Sequence, residues 1–167
     1  MNKAYLLIGG NMGDREVTLS ATRDLIAASC GNIIALSSLY ATAAWGKTEQ
    51  PEFLNQALLL ETRLDEVSLL DQLLYIEKKL GRTRQERYGP RIIDIDILFF
   101  NDSIIKKPQL NIPHPHMGTR RFVLEPLDEI ASNFRHPANG LTVHEMLAEC
   151  TDPLPVNKLK SIVHNKP

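Results

Sequence analysis

The chain has 167 residues, of which 43% are hydrophobic and 23% are charged, and these values fit one globular domain with a hydrophobic core. Its net charge of −1 provides no overall field to attract nucleic acid or a membrane surface, so we expect neither as a partner. No apolar run is long enough for a transmembrane helix or a signal peptide. We therefore expect a cytoplasmic protein in which Cys30 and Cys150 are free thiols, and we also expect a monomer.

The hydrophobic pattern predicts strands and helices in the order β-α-β-β-α-β. In chain order, the predicted elements are a strand over 4–9, a helix over 15–29, strands over 32–40 and 54–62, a helix over 65–80 and a strand over 92–100. Asp14 is expected to cap the first helix, and Gly31 and Gly81 to end the two helices. This order is typical of the ferredoxin-like α+β fold, an antiparallel sheet with helices on one face. Loops and a site are then expected on the other face.

The C-terminal part of the chain predicts a helical extension of the same domain. "IPHPHMGTRRFVL" begins as an extended segment and continues into a short helix, which Pro126 is expected to break or restart. Thr142 and Glu145 form a capping-box pattern for one more helix. Residues 152–167 are expected to be an irregular tail of a single domain that spans residues 1–167.

Two aspartates interrupt the apolar run "IIDIDILFF". On a strand, Asp94 and Asp96 share one face at a spacing of ~6.6 Å, while Ile93, Ile95 and Ile97 take the other face together with Phe99. Carboxylates with this spacing can hold two divalent ions for phosphoryl chemistry. The pattern is equally compatible with a solvated sheet face or with salt bridges to nearby arginines.

Four arginines lie immediately before this strand in "GRTRQERYGPR". The guanidinium group suits phosphate oxygens, so Arg82, Arg84, Arg87 and Arg91 suggest an anion site, although a solvated loop is the alternative. Glu77 falls within the apolar stripe of the second predicted helix. It is expected either to pair with Arg82 or Arg84, or to orient these arginines beneath a phosphate or bind a sugar hydroxyl.

Aromatic residues surround these segments and have two interpretations. Trp45, Phe53, Tyr88 and Phe122 can be core residues. Phe53 and Asn55 also share a strand face, and an aromatic ring with an amide can hold a flat heterocycle by stacking and edge hydrogen bonds. His114 suits a place beside a phosphate, because "HPH" lacks the further ligands of a zinc site.

Four segments together resemble the 6-hydroxymethyl-7,8-dihydropterin pyrophosphokinase family of folate biosynthesis. They are "IGGNMGD", "FLNQALLLET" at 53–62, "GRTRQERYGPRIIDIDILFF" at 81–100 and "IPHPHMGTRRFVLEPLDEIA" at 112–131. The resemblance implies that ATP transfers its pyrophosphoryl group to the hydroxymethyl oxygen of the pterin and that AMP leaves. Gly10 departs from the family, which usually has serine there.

The resemblance also implies a role for individual residues. Asp94 and Asp96 would hold two Mg²⁺ ions, and Arg82 and Arg91 would neutralise charge on the phosphates as catalytic residues. The residues implied to bind ATP are Glu77, Arg82, Arg84, Arg87, Arg91, His114 and Arg120. The residues implied to bind the pterin are Thr42, Ala43, Trp45, Phe53, Asn55, Tyr88 and Phe122.

Two alternative functions remain compatible with the residues. A nucleotidyltransferase also uses D-x-D and two metals, but it usually has a Gly-Ser pair shortly before that motif, and the similar loop here, Gly9-Gly10-Asn11, lies far upstream. A non-catalytic ferredoxin-like module that binds a ligand would need no metal pair. Release of AMP rather than pyrophosphate separates the first alternative from pyrophosphoryl transfer.

Overall fold

The structure is a computed structural model, and it describes residues 1–43, 49–83 and 89–159. Within these residues the main sheet has six strands and a second sheet has two. The strands of the main sheet are β1 (Asn2–Gly10), β2 (Asn32–Leu36), β3 (Tyr40–Thr42), β4 (Phe53–Thr62), β5 (Asp94–Phe100) and β8 (Val156–Lys158). The small sheet is the hairpin of β6 (Ile105–Lys107) and β7 (Leu110–Ile112), which the sequence did not predict.

Four α-helices are present in the described part of the chain. They are α1 (Arg15–Ser29), α2 (Glu66–Lys79), α3 (Arg121–Ala131) and α4 (Val143–Glu149). The predicted caps are confirmed, because the side chain of Asp14 accepts a hydrogen bond from Val17 N and that of Thr142 from Glu145 N. The bounds of α1 are those predicted, and α2 lies within its predicted range.

The main sheet is antiparallel, as predicted, with the order β5-β1-β4-β3-β8 and with β2 also paired to β4. The predicted strand over 32–40 is two strands, because side-chain groups replace the ladder between them. The Ser37 hydroxyl accepts a hydrogen bond from Ala57 N at 2.9 Å, and Gln56 Nε2 donates to Ser37 O at 2.7 Å. Ser37 N also donates to Ala57 O at 2.9 Å, so the chain stays beside β4 while the regular ladder is interrupted between β2 and β3.

Hydrophobic clusters cover both faces of the sheet. Leu6 and Ile8 of β1 belong to the cluster that includes the buried residues of α1 and α2. Leu7 of β1 belongs to a second cluster with α3 and α4, exemplified by Leu127 and Val143. The C-terminal extension thus covers the face on which we expected loops, and the site is confined to one end of it.

A bulge in β5 corrects the predicted strand pattern. Leu6 pairs with Ile97 whereas Tyr5 pairs with Phe99, so Leu98 is the extra residue on β5. Leu98 and Phe99 consequently both contribute to the cluster under α3, and Phe99 does not share the face of Ile97 as the simple alternation predicted.

Two C-terminal expectations also differ from the structure. Pro126 lies inside α3 and neither breaks nor restarts it, since burial of Val123, Leu124 and Leu127 against the sheet offsets the missing hydrogen bond. Part of the predicted irregular tail is a strand, β8, which pairs with β3.

Cys30 and Cys150 are free thiols as predicted. In the described ranges, no helix combines the length and apolarity needed to span a bilayer.

Candidate active site

One cavity at the end of the sheet brings together residues from five segments of the chain. Its walls come from β1, β3, β4, the start of β5 and the first turn of α3. The lining residues are Leu7, Gly9, Thr42, Ala43, Phe53, Asn55, Arg91, Asp94, Asp96, Arg120 and Phe122. Nine of them were predicted site residues, and Leu7 and Gly9 were not.

Asp94 is held between two arginines at the edge of the sheet. Its Oδ1 lies 2.8 Å from Arg82 Nη1, and its Oδ2 lies 3.2 Å from Arg91 Nη1. Both guanidinium groups come from the segment before β5, so the salt-bridge interpretation of the D-x-D motif is correct for Asp94. The same arrangement concentrates positive charge beside a cavity, as an anionic ligand requires.

Asp96 lies in a different electrostatic environment. Among the described residues, no lysine or arginine forms an ion pair with its carboxylate. Burial raises its pKa well above the usual range, and the nearby carboxylates of Asp94 and Glu77 raise it further, against the opposing charges of Arg82 and Arg91. A partly buried carboxylate under this repulsion favours a counterion, and a divalent metal is one.

Glu77 is a buried link rather than part of the cavity wall. The residue is 4% exposed, and its Oε2 accepts a hydrogen bond from Ile95 N at 2.7 Å. The same oxygen lies 2.8 Å from Arg82 Nη1. β5 is an edge strand of the main sheet, so the Ile95 N–H is not used in the pairing between strands. The Glu77 carboxylate accepts its hydrogen bond instead. Glu77 therefore fixes Arg82 against β5, which is the ion-pair alternative of the sequence analysis.

The opposite wall carries the amide and aromatic groups. Asn55 is buried and its Nδ2 donates to Thr42 Oγ1 at 2.8 Å, which joins β4 to β3. A Cβ on Gly9 would overlap Asn55 Oδ1, so glycine at this position leaves room for the amide. Phe53 and Phe122 line the cavity from β4 and α3, and the Arg120 guanidinium carbon is 5.9 Å from the Phe122 ring centroid.

His114 stands apart from this cavity and lines a neighbouring one. Burial lowers its pKa to about 4, with Arg120 and then His116 adding to the effect, so its imidazole is neutral near pH 7. The remaining predicted site residues, Trp45, Arg84, Arg87 and Tyr88, lie outside the described residues.

Asn11 is a residue at this site that the sequence analysis missed. It is 3% exposed, and its Nδ2 donates to Gln50 Oε1 at 2.8 Å and to Pro51 O at 3.0 Å. Its Oδ1 accepts from Arg91 N at 3.0 Å. A polar residue directly after an apolar strand was the available signal. The neighbouring Gly10 is explained as well, because a Cβ there would overlap Ile92 O.

Fold and site together define a class: an α+β protein with a carboxylate pair, clustered arginines and an aromatic wall, suited to a phosphorylated nucleotide and a flat ring. Residues 5–132 match the family model of 7,8-dihydro-6-hydroxymethylpterin-pyrophosphokinase (HPPK). The chain belongs to this family.

Curated relatives carry a corresponding name. The chain is 40% identical over 161 residues to the 2-amino-4-hydroxy-6-hydroxymethyldihydropteridine pyrophosphokinase of Methylorubrum extorquens, covering 96% of this chain and 100% of that protein. It is 42% identical over 140 residues to the enzyme of the same name from Bacillus subtilis, covering 83% of this chain and 84% of that protein.

Solved structures with the same fold include Plasmodium falciparum HPPK-DHPS, wild type with SDX-DHP. The TM-score is 0.71 at 19% identity, over 89% of this chain and 43% of that one. The chain thus spans less than half the length of that protein, and this likeness concerns the fold.

Proposed function

We propose that this chain transfers the pyrophosphoryl group of ATP to the hydroxymethyl oxygen of 6-hydroxymethyl-7,8-dihydropterin and releases AMP, the reaction of its family in folate biosynthesis. One observation carries the proposal: a single cavity unites Asp94, Asp96 and Arg91 with Phe53 and Asn55. The first group suits phosphates and metal, and the second suits a flat heterocycle, so both substrates meet in one place.

The pterin half of the site is assigned to the wall formed by β3, β4 and α3. Phe53 and Phe122 supply ring faces for stacking, and Asn55, oriented by Thr42, supplies an amide for the ring edge. Ala43 lines the same wall. Trp45 and Tyr88 are assigned to the pterin by resemblance alone.

The nucleotide half is assigned to the arginine side of the cavity. Arg82, Arg91 and Arg120 bring cationic groups to the phosphates, and Arg84 and Arg87 join them by resemblance. His114 offers a neutral ring near the nucleotide. The resemblance assigned Glu77 to ATP directly, whereas its buried contacts support a role through Arg82.

The carboxylate pair fits Mg²⁺. Magnesium is commonly held by one or two carboxylates while water and substrate phosphates complete its shell, so Asp94 and Asp96 suffice as protein ligands for two ions. The raised pKa of Asp96 supports the assignment, because a dication held there would compensate the partly buried charge. When bound, these ions supply charge neutralisation at the phosphates.

The protein's own contribution to the reaction is positioning and charge. Transfer of this type needs the attacking oxygen and the phosphorus held in line and the developing charge stabilised. Arg82 and Arg91 are preorganised for this, since both are anchored by carboxylates before the substrates arrive.

The test is an assay of AMP release from ATP, Mg²⁺ and 6-hydroxymethyl-7,8-dihydropterin. AMP formation that requires all three supports the proposal. Release of pyrophosphate instead of AMP indicates a nucleotidyltransferase, and pterin binding with no turnover indicates the ligand-binding module. Arg91→Ala is expected to lower kcat strongly, whereas an effect confined to KM would limit Arg91 to binding ATP.

We also propose that the chain acts in the cytoplasm as a monomeric single pyrophosphokinase domain on these small molecules. The net charge of −1 supports the absence of a nucleic-acid or membrane partner. Gel filtration with light scattering tests the monomer.

A further inference from the structure

The segment after α4 is tied to the start of α3 by a buried carboxylate. Asp152 is 7% exposed, and its Oδ2 accepts a hydrogen bond from Arg121 N at 3.0 Å. Its Oδ1 accepts from Leu154 N at 3.0 Å. One side chain thus satisfies two backbone N–H groups, one in its own segment and one in α3.

The side chain of Arg121 closes the same link from the other side. Its Nε donates to Asp152 O at 3.2 Å, and its Nη2 donates to Cys150 O at 2.9 Å. Arg121 therefore donates to Asp152 from both its backbone and its side chain, across 31 positions of the sequence. Such a set of part-buried hydrogen bonds holds its two segments in one relative position.

Asp152 acts as the cap of α3. Arg120 occupies the N-cap position of this helix, and an arginine side chain carries donors but no acceptor. The carboxylate of Asp152 instead pairs with the N–H of the first helical residue, where a negative charge also suits the helix dipole. The same first turn presents Arg120 and Phe122 to the cavity.

The segment that Asp152 fixes continues as β8 along the edge of β3. Val156 pairs with Thr42, and Lys158 pairs with Tyr40. Lys158 Nζ also lies 2.9 Å from Glu129 Oε1 on α3. Thr42 is 2% exposed and is the residue that orients Asn55. Residues 150–158 therefore bridge the two walls of the cavity, from the first turn of α3 to β3.

We propose that Asp152 is a positioning residue for the pterin side of the cavity. By capping α3 and anchoring β8, it fixes Phe122 on one wall relative to Thr42 and Asn55 on the other. The identity of the ligand rests on the proposed function. Of the proposed ATP contacts only Arg120 lies on the capped turn, so loss of Asp152 affects the pterin more than the nucleotide.

The experiment compares Asp152→Ala with Asp65→Ala. Asp65 caps α2 by a hydrogen bond from Ser68 N at 2.7 Å. It lies just beyond the end of β4 that is remote from the cavity, so Asp65→Ala removes a helix cap without changing the site. Titration calorimetry then measures the Kd of the pterin and of a non-hydrolysable ATP analogue. We expect Asp152→Ala to raise the pterin Kd by about 10-fold, as loss of preorganisation predicts, with little change for the nucleotide. Asp65→Ala is expected to change neither.

A second readout needs no ligand. Amide hydrogen exchange in Asp152→Ala should quicken at residues 40–42 and 121–124, and not in Asp65→Ala. Asp152→Asn keeps one acceptor oxygen and should be intermediate. Unchanged exchange at both segments, or equal loss of pterin affinity in the two alanine variants, overturns the proposal. A wild type that releases no AMP contradicts the proposed function alone, because the exchange comparison still decides the role of Asp152.

Discussion

Asn11 and Arg91 exchange two hydrogen bonds across the end of the sheet. Asn11 N donates to Arg91 O at 3.0 Å, and Arg91 N donates to Asn11 Oδ1 at 3.0 Å. This pairing continues the contact between β1 and β5 beyond the last ladder pair, Gly9 and Asp94. The backbone of Arg91 is thereby fixed directly before the carboxylate strand, and its guanidinium group lies 3.2 Å from Asp94 Oδ2.

The first prediction concerns Asn11→Ala. The change leaves Arg91 N and the carbonyl of Pro51 without their buried partner, so we expect a loss of about 1–3 kcal/mol in the free energy of unfolding. It should also lower kcat for AMP release, because one of the two hydrogen bonds that hold the Arg91 backbone is lost. Urea unfolding and steady-state kinetics measure the two effects.

Asn2→Ala is the matched control for this prediction. Asn2 lies at the opposite end of β1, and its Nδ2 donates to Leu64 O at 2.9 Å, so it also loses a side-chain hydrogen bond to the backbone. We expect this variant to lose stability while retaining kcat. Equal kinetic defects in the two variants would show that Asn11 acts through general stability and not through Arg91.

Much of the fold follows from local signals in the sequence. The antiparallel strands and the bounds of α1 were predictable because periodicity and capping act within a few residues, as at Asp14 and Asp65. The bulge at Leu98 was not, since it depends on register against β1. The β8 strand was missed for a related reason: three residues gain their structure from pairing with β3, and local pattern gives no sign of it.

The candidate site, like the fold, could be predicted from the sequence only in part. Residue chemistry and resemblance predicted the groups that line the cavity, including Phe122 and Asn55. Neither the residue chemistry nor the resemblance predicted which residues hold these cavity-lining groups in place. Asn11 and Asp152 hold site residues through hydrogen bonds to backbone groups 80 and 31 positions away, and such contacts exist only in the folded chain. Glu77 was noticed as a charge in an apolar stripe, but its bond to Ile95 N required the structure.

The second prediction concerns Asp96→Asn. Because Asp96 carries a carboxylate whose pKa burial raises, its ionised form opposes folding at neutral pH in the absence of metal. We expect the neutral amide to leave the free energy of unfolding unchanged or higher, while AMP release is abolished. Asp102→Asn, an exposed aspartate just after β5, should alter neither quantity. AMP release at the wild-type rate by Asp96→Asn would remove the metal assignment.

The third prediction concerns Glu77→Gln. The amide oxygen can still accept from Ile95 N, but the ion pair with Arg82 is lost. We expect kcat to fall by about 10-fold or more, because Arg82, which we propose stabilises the developing charge, loses one of its two carboxylate partners. Affinity for a non-hydrolysable ATP analogue should fall less than kcat, since Glu77 does not line the cavity and reaches the phosphates only through Arg82. Glu66→Gln, in the first turn of α2, is the control. A weaker Kd for the analogue with unchanged kcat would instead indicate direct contact between Glu77 and the nucleotide.

The fourth prediction is a dependence of stability on pH that originates at His114. Burial, with Arg120 and His116, lowers its pKa from 6.5 to about 4 in the folded protein. Above pH 7, His114 is neutral in both the folded and the unfolded protein. Between pH 6.5 and 4 the unfolded protein binds the proton more tightly, so the free energy of unfolding falls as the pH falls. The full effect is on the order of 3 kcal/mol.

His114→Asn retains an acceptor for His116 N but cannot titrate, and its free energy of unfolding should fall less over this range. Parallel curves for the two proteins, or an NMR titration of the His114 ring near pH 6.5, would contradict the neutral imidazole.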